Sequence, residues 1–264
     1  MTRTTLKSQA EIALMDEANR VIRAILADLH GFVRPGITTL DVDRFAEERI
    51  RAAGGVPAFK GYPHPSGGKD FPGTICASLN DEVVHGVPSA AVVLRDGDIL
   101  SVDLGIRREG YFGDAAETFA VGTIKPEAER LLQVTREALL RAVAAARPGN
   151  RVSDIGHAVQ THVETHGFSV VREFVGHGIG SSLHEEPQIP NFGEPGRGMR
   201  LSPGMVLALE PMVNAGRPEV MLSASDGWTA RTRDGSLSAH FELSVAVTED
   251  GPKVLGDPVS AVAA

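Results

Sequence analysis

The chain has 264 residues, 42% hydrophobic and 23% charged, the composition of a globular protein large enough to bury a sizeable core. Its formal charge of −8, from 26 basic and 34 acidic side chains, argues against specific nucleic-acid binding and against binding to anionic membranes. Cys76 is the only cysteine, which excludes an intramolecular disulfide and favours a reducing compartment. The first residues lack the apolar core of a secretory signal and no stretch approaches a membrane span, so the cytoplasm is the expected location.

A helix is predicted from about Ser8 to His30, with Ile12, Leu14, Met15, Ala18, Val21, Ile22, Ile25 and Leu26 as its apolar stripe. "VRPGITTLDVDRFAEERIRAAGG" then reads as a turn and a capped helix that stops at Gly54 and Gly55. The plan recurs from Lys125 to Phe168: a long helix, Arg-Pro-Gly, a polar cap, a second helix and a terminating glycine. Arg34-Pro35-Gly36 aligns with Arg147-Pro148-Gly149, Asp41 with Asp154, and Gly54 with Gly167, all at an offset of 113. Each copy is followed by strand-like sequence: "TICASLNDEVVHGVP" and "ILSVDLGI" after the first, "FSVVREFVGHGIG" and "MVLALEPM" after the second. Two αα-β halves sharing one sheet about a pseudo-two-fold is the simplest reading, an α+β fold in one domain covering residues 1–264. Residues from Pro252 onward read as a fraying tail.

Four carboxylates stand inside apolar strand-like runs: Asp103 in "ILSVDLGI", Asp114 in "GYFGDAAETFAVG", Glu210 in "MVLALEPM" and Glu242 in "HFELSVAV". Ionising an isolated carboxylate there is costly, so each needs a partner. "GIRREGYFG" reads as the turn of a hairpin. A turn centred between Arg108 and Glu109 sets Asp103 directly opposite Asp114, with Cβ atoms roughly 5 Å apart. Like charges so placed oppose the hairpin unless a cation lies between them. With His177, the four carboxylates make a nitrogen and oxygen donor set of charge −4, matching two divalent ions. Oxygen-rich sites with one imidazole suit Mn, Fe(II), Co or Mg better than a structural zinc site. Two such ions polarise a carbonyl and generate a metal-bound hydroxide, as in dimetal hydrolases.

Two look-alike motifs are set aside. "HVETH", His162 to His166, has i, i+4 histidines, but its glutamate does not follow the first histidine as the zincin motif requires. "GHGIG" lacks the lysine of a phosphate-binding loop.

"NDEVVHGVP", "SVDLGIRREGYFGDAAETF", "FVGHGIGSSLHEEP", "ALEPM" and "DGWTARTRDGSLSAHFELSVAVT", in this order, closely resemble the type I methionine aminopeptidases of the creatinase/aminopeptidase, or pita-bread, family. The resemblance runs from the N-terminal helix to about Glu249. It implies the pita-bread fold, with pseudo-two-fold halves around a curved antiparallel sheet. It also implies a cytoplasmic hydrolase that removes methionine from the N-terminus of peptides and nascent chains when the next residue is small. Asp103, Asp114, His177, Glu210 and Glu242 are the implied ligands of two divalent ions per chain (Co, Mn or Fe(II)), bridged by Asp114 and Glu242. Asp103 would complete one ion's shell, and His177 with Glu210 the other's. Glu210 would also help deprotonate the bridging water. His85 would contact the scissile amide and His184 the substrate carbonyl and its oxyanion, while Tyr62, Cys76 and Trp228 would line the methionine pocket. The implied state is a monomer, with the ribosome as a candidate partner.

The chain departs from the family pattern in four places. Leu183 stands where an aromatic is usual, His240 and Leu243 replace the residues of an "AQFEH"-like stretch, and the Gly61–Pro72 loop is longer than its counterpart. His240 is expected to alter the shell that orients Glu242. The alternatives are an Xaa-Pro aminopeptidase-like dimetal peptidase, whose relatives carry a long N-terminal domain, and a non-catalytic pita-bread binding protein, which would lack ligands.

Overall fold

Helix α1 (Gln9–Phe32) begins at Ser8, whose hydroxyl accepts the Glu11 N–H while Glu11 accepts the Ser8 N–H, a reciprocal cap that satisfies two otherwise unpaired donors. Thr38 and Asp41 do the same for α2 (Thr39–Ala52). In the second copy Pro126 opens α3 (Pro126–Ala145), and Asp154 accepts the Arg151 N–H ahead of α4 (Val152–Thr165). The offset seen in the sequence is conformational too. Gly36 and Gly149 turn at φ +94° and +91°, and Gly54 and Gly167 end their helices at +73° and +80°, a region that favours glycine. On α1, Met15, Ala18, Ile22, Ile25, Leu26 and Leu29 are buried, whereas the expected stripe residue Leu14 is 38% exposed because it lies outside the arc facing the sheet.

The structure, a computed structural model, describes residues 4–257. Its strands are β1 (Val56–Pro57), β2 (Ile75–Leu79), β3 (Glu82–Val84), β4 (Ile99–Arg108) and β5 (Tyr111–Ala120) in the first half. The second half holds β6 (Ser169–Val170), β7 (Gly176–Gly178), β8 (Glu185–Ile189), β9 (Val206–Leu209) and β10 (Met212–Asn214). They are followed by β11 (Val220–Leu222), β12 (Ala230–Thr232), β13 (Ser238–His240), β14 (Glu242–Thr248) and β15 (Gly251–Val254). A nine-stranded antiparallel sheet runs β1-β4-β5-β14-β9-β7-β8, with β2 also on β4 and β15 also on β14. Two three-stranded sheets, β13-β10-β6 and β11-β12-β3, flank it.

Strand alternation divides the large sheet into two chemically different faces. Leu100, Val102, Leu104 and Ile106 of β4, with Ala115 and Phe119 of β5, pack under Ile22, Leu29 and Ile50 of α1 and α2. Leu207, Leu209, Val245 and Val247 pack under Leu131, Leu139, Ile155 and Val159 of α3 and α4. Each such side chain contributes roughly 2 kcal/mol by leaving water. The opposite face of the same strands carries Ser101, Asp103, Asp114, Ala116, Thr118, Ala208, Glu242 and Ser244.

Two expectations are corrected. The β4–β5 hairpin turns at Glu109-Gly110, with φ +50° and +85°, rather than between Arg108 and Glu109. This two-residue turn, with both φ positive as type I′ geometry requires, pairs Arg108 with Tyr111. Asp103 therefore faces Ala116 and Asp114 faces Gly105, so the aspartates share a face as diagonal neighbours, not direct opposites. The expected tail is in part a strand: β15 pairs with β14, Leu255 is buried, and the Gly256 N–H bonds Asp16. Its remainder, 258–264, lies outside the described residues.

The segment before α1 is tied to the site loop by Lys7, whose Nζ lies 2.5 Å from Glu185 Oε2, with side-chain exposures of 3% and 14%. Lys7→Ala leaves Glu185 without its charge partner and is expected to cost about 3 kcal/mol in urea unfolding, part of which returns when Glu185→Ala is added. A cost below 1 kcal/mol, or no recovery in the double variant, refutes the role of this pair.

Candidate active site

The sheet register sets the site's floor. Across it, Cys76 of β2 faces Asp103, Asp103 faces Ala116, and Ala116 faces Glu242. One step along lie Asp114 and Ser244, and beyond Ser244 come Ala208 and then His177. Ser244 ties β5 to β14, its hydroxyl accepting the Asp114 N–H at 3.3 Å and donating to the Asp114 carbonyl at 2.9 Å. Glu210 follows β9 directly, held by the Asn191 amide on its carbonyl. The residues between the charges are small. Gly176 sits so close that a Cβ there would come 2.4 Å from the Ala208 carbonyl.

His177 Nε2 lies 3.6 Å from Glu210 Oε1 and 3.9 Å from Asp114 Oδ2. Its Nδ1 donates to the Gly178 carbonyl at 2.9 Å, which leaves the Nε2 lone pair facing the carboxylates. Burial, helped by His184, lowers His177 to about 4, so the ring is neutral and able to ligate. Burial pushes Asp103 up to about 7 and Glu210 up to about 8. It also drives Asp114 and Glu242 well above the ordinary carboxylate range, with the neighbouring carboxylates adding to the effect.

These groups suit divalent metal ions. Asp103 Oδ1, Asp114 Oδ1, Glu242 Oε1 and His240 Nε2 are all buried without a hydrogen-bond partner, an expensive state unless a cation takes them. Asp114, His177 and Glu242 offer donors within 4.8 Å of one another, as do Glu210, His240 and Glu242. Glu242 is common to both groups. His240, expected only to influence Glu242 from outside, turns its Nε2 to within 3.6 Å of Glu210 Oε2. Thr118 holds it there, accepting the His240 N–H and donating to the His240 carbonyl.

A cavity of about 240 Å³ opens above this floor, and all ten residues singled out in the sequence line it: Tyr62, Cys76, His85, Asp103, Asp114, His177, His184, Glu210, Trp228 and Glu242. Phe59, Phe71, Phe174 and Leu183 complete its apolar wall. The three phenylalanines carry no motif of their own in the sequence: Phe59 ends the apolar run "VPAF", while Phe71 and Phe174 each follow a charged residue, and any of them fits a core as well as a wall. Tyr62 Oη meets His184 Nδ1 at 2.8 Å, and the His177 and His184 rings stand 4.4 Å apart. His85 adopts φ +59°, rare for a residue with a side chain, and its ring lies edge-on to Phe174 and Trp228. Burial, with His240 and His184, lowers His85 to about 4. Cys76 is buried, its thiol pushed well above the usual value by burial and by Asp103, so it serves as an apolar surface and not as a nucleophile. The long Gly61–Pro72 loop docks on the rim: Trp228 Nε1 donates to the Lys69 carbonyl, His64 meets the Gly227 carbonyl, and Tyr62 and Phe71 pair through their backbones.

Residues 13–249 match metallopeptidase family M24. Methionine aminopeptidase 1 of Bacillus subtilis is 49% identical over 249 residues, covering 94% of this chain and 97% of that protein. The crystal structure of a methionine aminopeptidase from Thermotoga maritima superposes with a TM-score of 0.92 at 42% identity, covering 97% of this chain and 100% of that one. A prolidase from Pyrococcus furiosus shares the fold at a TM-score of 0.75 and 22% identity, covering 96% of this chain and 65% of its own. The fold is thus the α+β pita-bread fold expected from the sequence. The chain belongs to metallopeptidase family M24, whose members bind divalent metal.

Proposed function

We propose that this chain is a methionyl aminopeptidase, a metal-dependent exopeptidase that hydrolyses the bond after an N-terminal methionine and prefers a small second residue. The observation that carries the reading is an apolar cavity ending on a floor of one neutral imidazole and four carboxylates, in a chain nearly half identical to a methionine aminopeptidase over almost its full length. We assign Asp103, Asp114, His177, Glu210 and Glu242 to two divalent ions, of the manganese, cobalt or iron(II) kind. Bound there, the ions supply Lewis-acid polarisation of the carbonyl and acidify water.

The chain's own groups do the rest. Glu210, buried on the cavity floor and ionised when it faces the cations, is the group placed to accept the proton of the attacking water. Tyr62 O–H donating to His184 Nδ1 leaves the proton on Nε2, where His184 donates to the substrate carbonyl and its oxyanion. His85 stands beside the scissile amide. Cys76, Trp228 and Tyr62, with Phe59 and Phe71, enclose an unbranched thioether, which gains sulfur–aromatic contacts. The sheet that crosses both halves supports reading residues 1–264 as one catalytic domain. No helix among the described residues is long and apolar enough to cross a membrane. We assign the enzyme to the cytoplasm as a monomer acting on nascent chains, with the ribosome as its candidate partner.

Protein loaded with manganese or cobalt is expected to release methionine from Met-Ala-Ser and to spare Ala-Pro-Phe; the reverse preference identifies an Xaa-Pro peptidase instead. Glu210→Gln is expected to lower kcat by about 10²–10⁴-fold with the fold retained by circular dichroism. Activity near that of the parent removes Glu210 from the mechanism.

Metal-free protein gives a further test. A carboxyl whose folded pKa is raised stabilises the fold at low pH and loses that contribution as pH rises through the folded value. His177 and His85, lowered to about 4, and His162, His184 and His240, also lowered by burial, act oppositely, but above about pH 7.5 they are neutral in both states. Between about pH 7.5 and 8.5 the carboxylates therefore govern, through Glu210 at about 8 and the end of the Asp103 titration at about 7. The Tm of chelator-treated protein is expected to fall across this window more steeply than that of manganese-loaded protein; parallel curves contradict the carboxylate assignment.

A further inference from the structure

The "HVETH" segment, which fails the zincin pattern, gains in the folded chain a carboxylate partner from another helix. Glu137 of α3 reaches across to α4, and its Oε2 lies 3.1 Å from His162 Nε2. That nitrogen is buried and makes no aligned hydrogen bond. The His162 and His166 rings stand 4.4 Å apart, and Glu137, His162 and His166 offer donor atoms within 4.8 Å of one another. None of the three lines the catalytic cavity.

We propose that Glu137, His162 and His166 form a second divalent-cation site, of the imidazole and carboxylate kind that takes zinc, joining α3 to α4.

The groups around these donors prepare them for a metal. His166 Nδ1 donates to the His162 carbonyl at 2.8 Å, so its proton is fixed there and Nε2 is left with a lone pair. Gln133 Nε2 donates to Glu137 Oε1 at 2.9 Å, holding the carboxylate while Oε2 faces the histidines. Burial, with Arg141 and His166, keeps the His162 pKa below the ordinary imidazole value, and the Gln133 hydrogen bond lowers that of Glu137. At neutral pH His162 is therefore a neutral donor and Glu137 an anionic one, and a metal need displace no proton from either. Tetrahedral zinc with bonds of about 2.0–2.1 Å needs donors roughly 3.4 Å apart. The His162 and Glu137 atoms, 3.1 Å apart, are close to this spacing, and the His166 donor lies within 4.8 Å of both. Three protein donors leave the fourth position open to the groove beside Thr161, Thr165 and Arg141. With no glutamate after His162 to act as base, the site binds and does not hydrolyse.

The test uses manganese-loaded protein equilibrated with zinc chloride, compared with its His166→Gln and Glu137→Gln variants. Zinc content by elemental analysis is expected to be one equivalent per chain higher in the parent than in either variant. Release of methionine by the manganese-loaded proteins is expected to stay the same. Crystals soaked in zinc are expected to show an anomalous peak between His162, His166 and Glu137. Equal zinc content in parent and both variants, or anomalous density at the catalytic carboxylates alone, overturns the proposal.

Discussion

Four carboxylates converge in a space that little water reaches, and the rest of the fold is arranged so that they cannot escape one another. Asp114 and Glu242 are 4% and 3% exposed, and Asp103 and Glu210 beside them add to the cost that burial sets on ionising both. A flexible surface would splay such charges apart into solvent. Here each is fixed by its backbone: Asp103 and Asp114 by the β4–β5 ladder, Glu242 by its pairing with Ala116, Glu210 by the Asn191 hydrogen bond to its carbonyl. The helices, packed on the other face, keep the strands from shifting. The site thus trades stability for a standing affinity for cations, the usual cost of a preorganised functional centre.

What was legible in the sequence was the conflict itself. A carboxylate inside an apolar strand is a local inconsistency, and four of them with one histidine sufficed to locate the floor of the site. The repeated Arg-Pro-Gly and terminal glycines disclosed the two helical pairs, because those positions need a left-handed backbone that glycine supplies cheaply. The hairpin register was not legible. It depends on Glu109 adopting φ +50°, a conformation uncommon for a residue with a side chain, so the turn looked centred one residue too early. His240 was visible as a departure, but its proximity to Glu210 follows from a tertiary restraint, the two hydrogen bonds to Thr118. Glu137 could not have been read as a partner of His162, since only the packing of α3 on α4 brings them together.

The cavity wall shows how small residues on strands make room for large ones. A Cβ at Gly105 would come 2.8 Å from the Phe59 ring, so glycine opposite Asp114 lets an aromatic wall approach the charged floor. The long Gly61–Pro72 loop has no regular structure of its own, and its place is set from outside by Trp228 and Gly227. Composition describes that loop as polar and glycine-rich. Its role in closing the cavity comes from contacts about 160 residues away in sequence, as in the His64–Gly227 hydrogen bond.

The two halves do not contribute equally. The first supplies Asp103, Asp114 and His85, the second His177, His184, Glu210 and Glu242. In the large sheet they meet where β5 pairs with β14, a ladder of only two residue pairs, Glu242 with Ala116 and Leu243 with Ala115. Beyond it the Ser244 hydroxyl stands in for the missing main-chain bonds to Asp114. Each half has its own helix-covered core, and across the seam Met15 of α1 packs with Ile179, Val206 and Ala246. The seam is also where the carboxylates repel. With the ligands proposed above, cations held by donors from both sides would remove that repulsion and add bonds across this two-pair ladder. On that assignment metal binding does structural and catalytic work at the same place, and occupancy of the site acts directly on the junction that gives the cavity its shape.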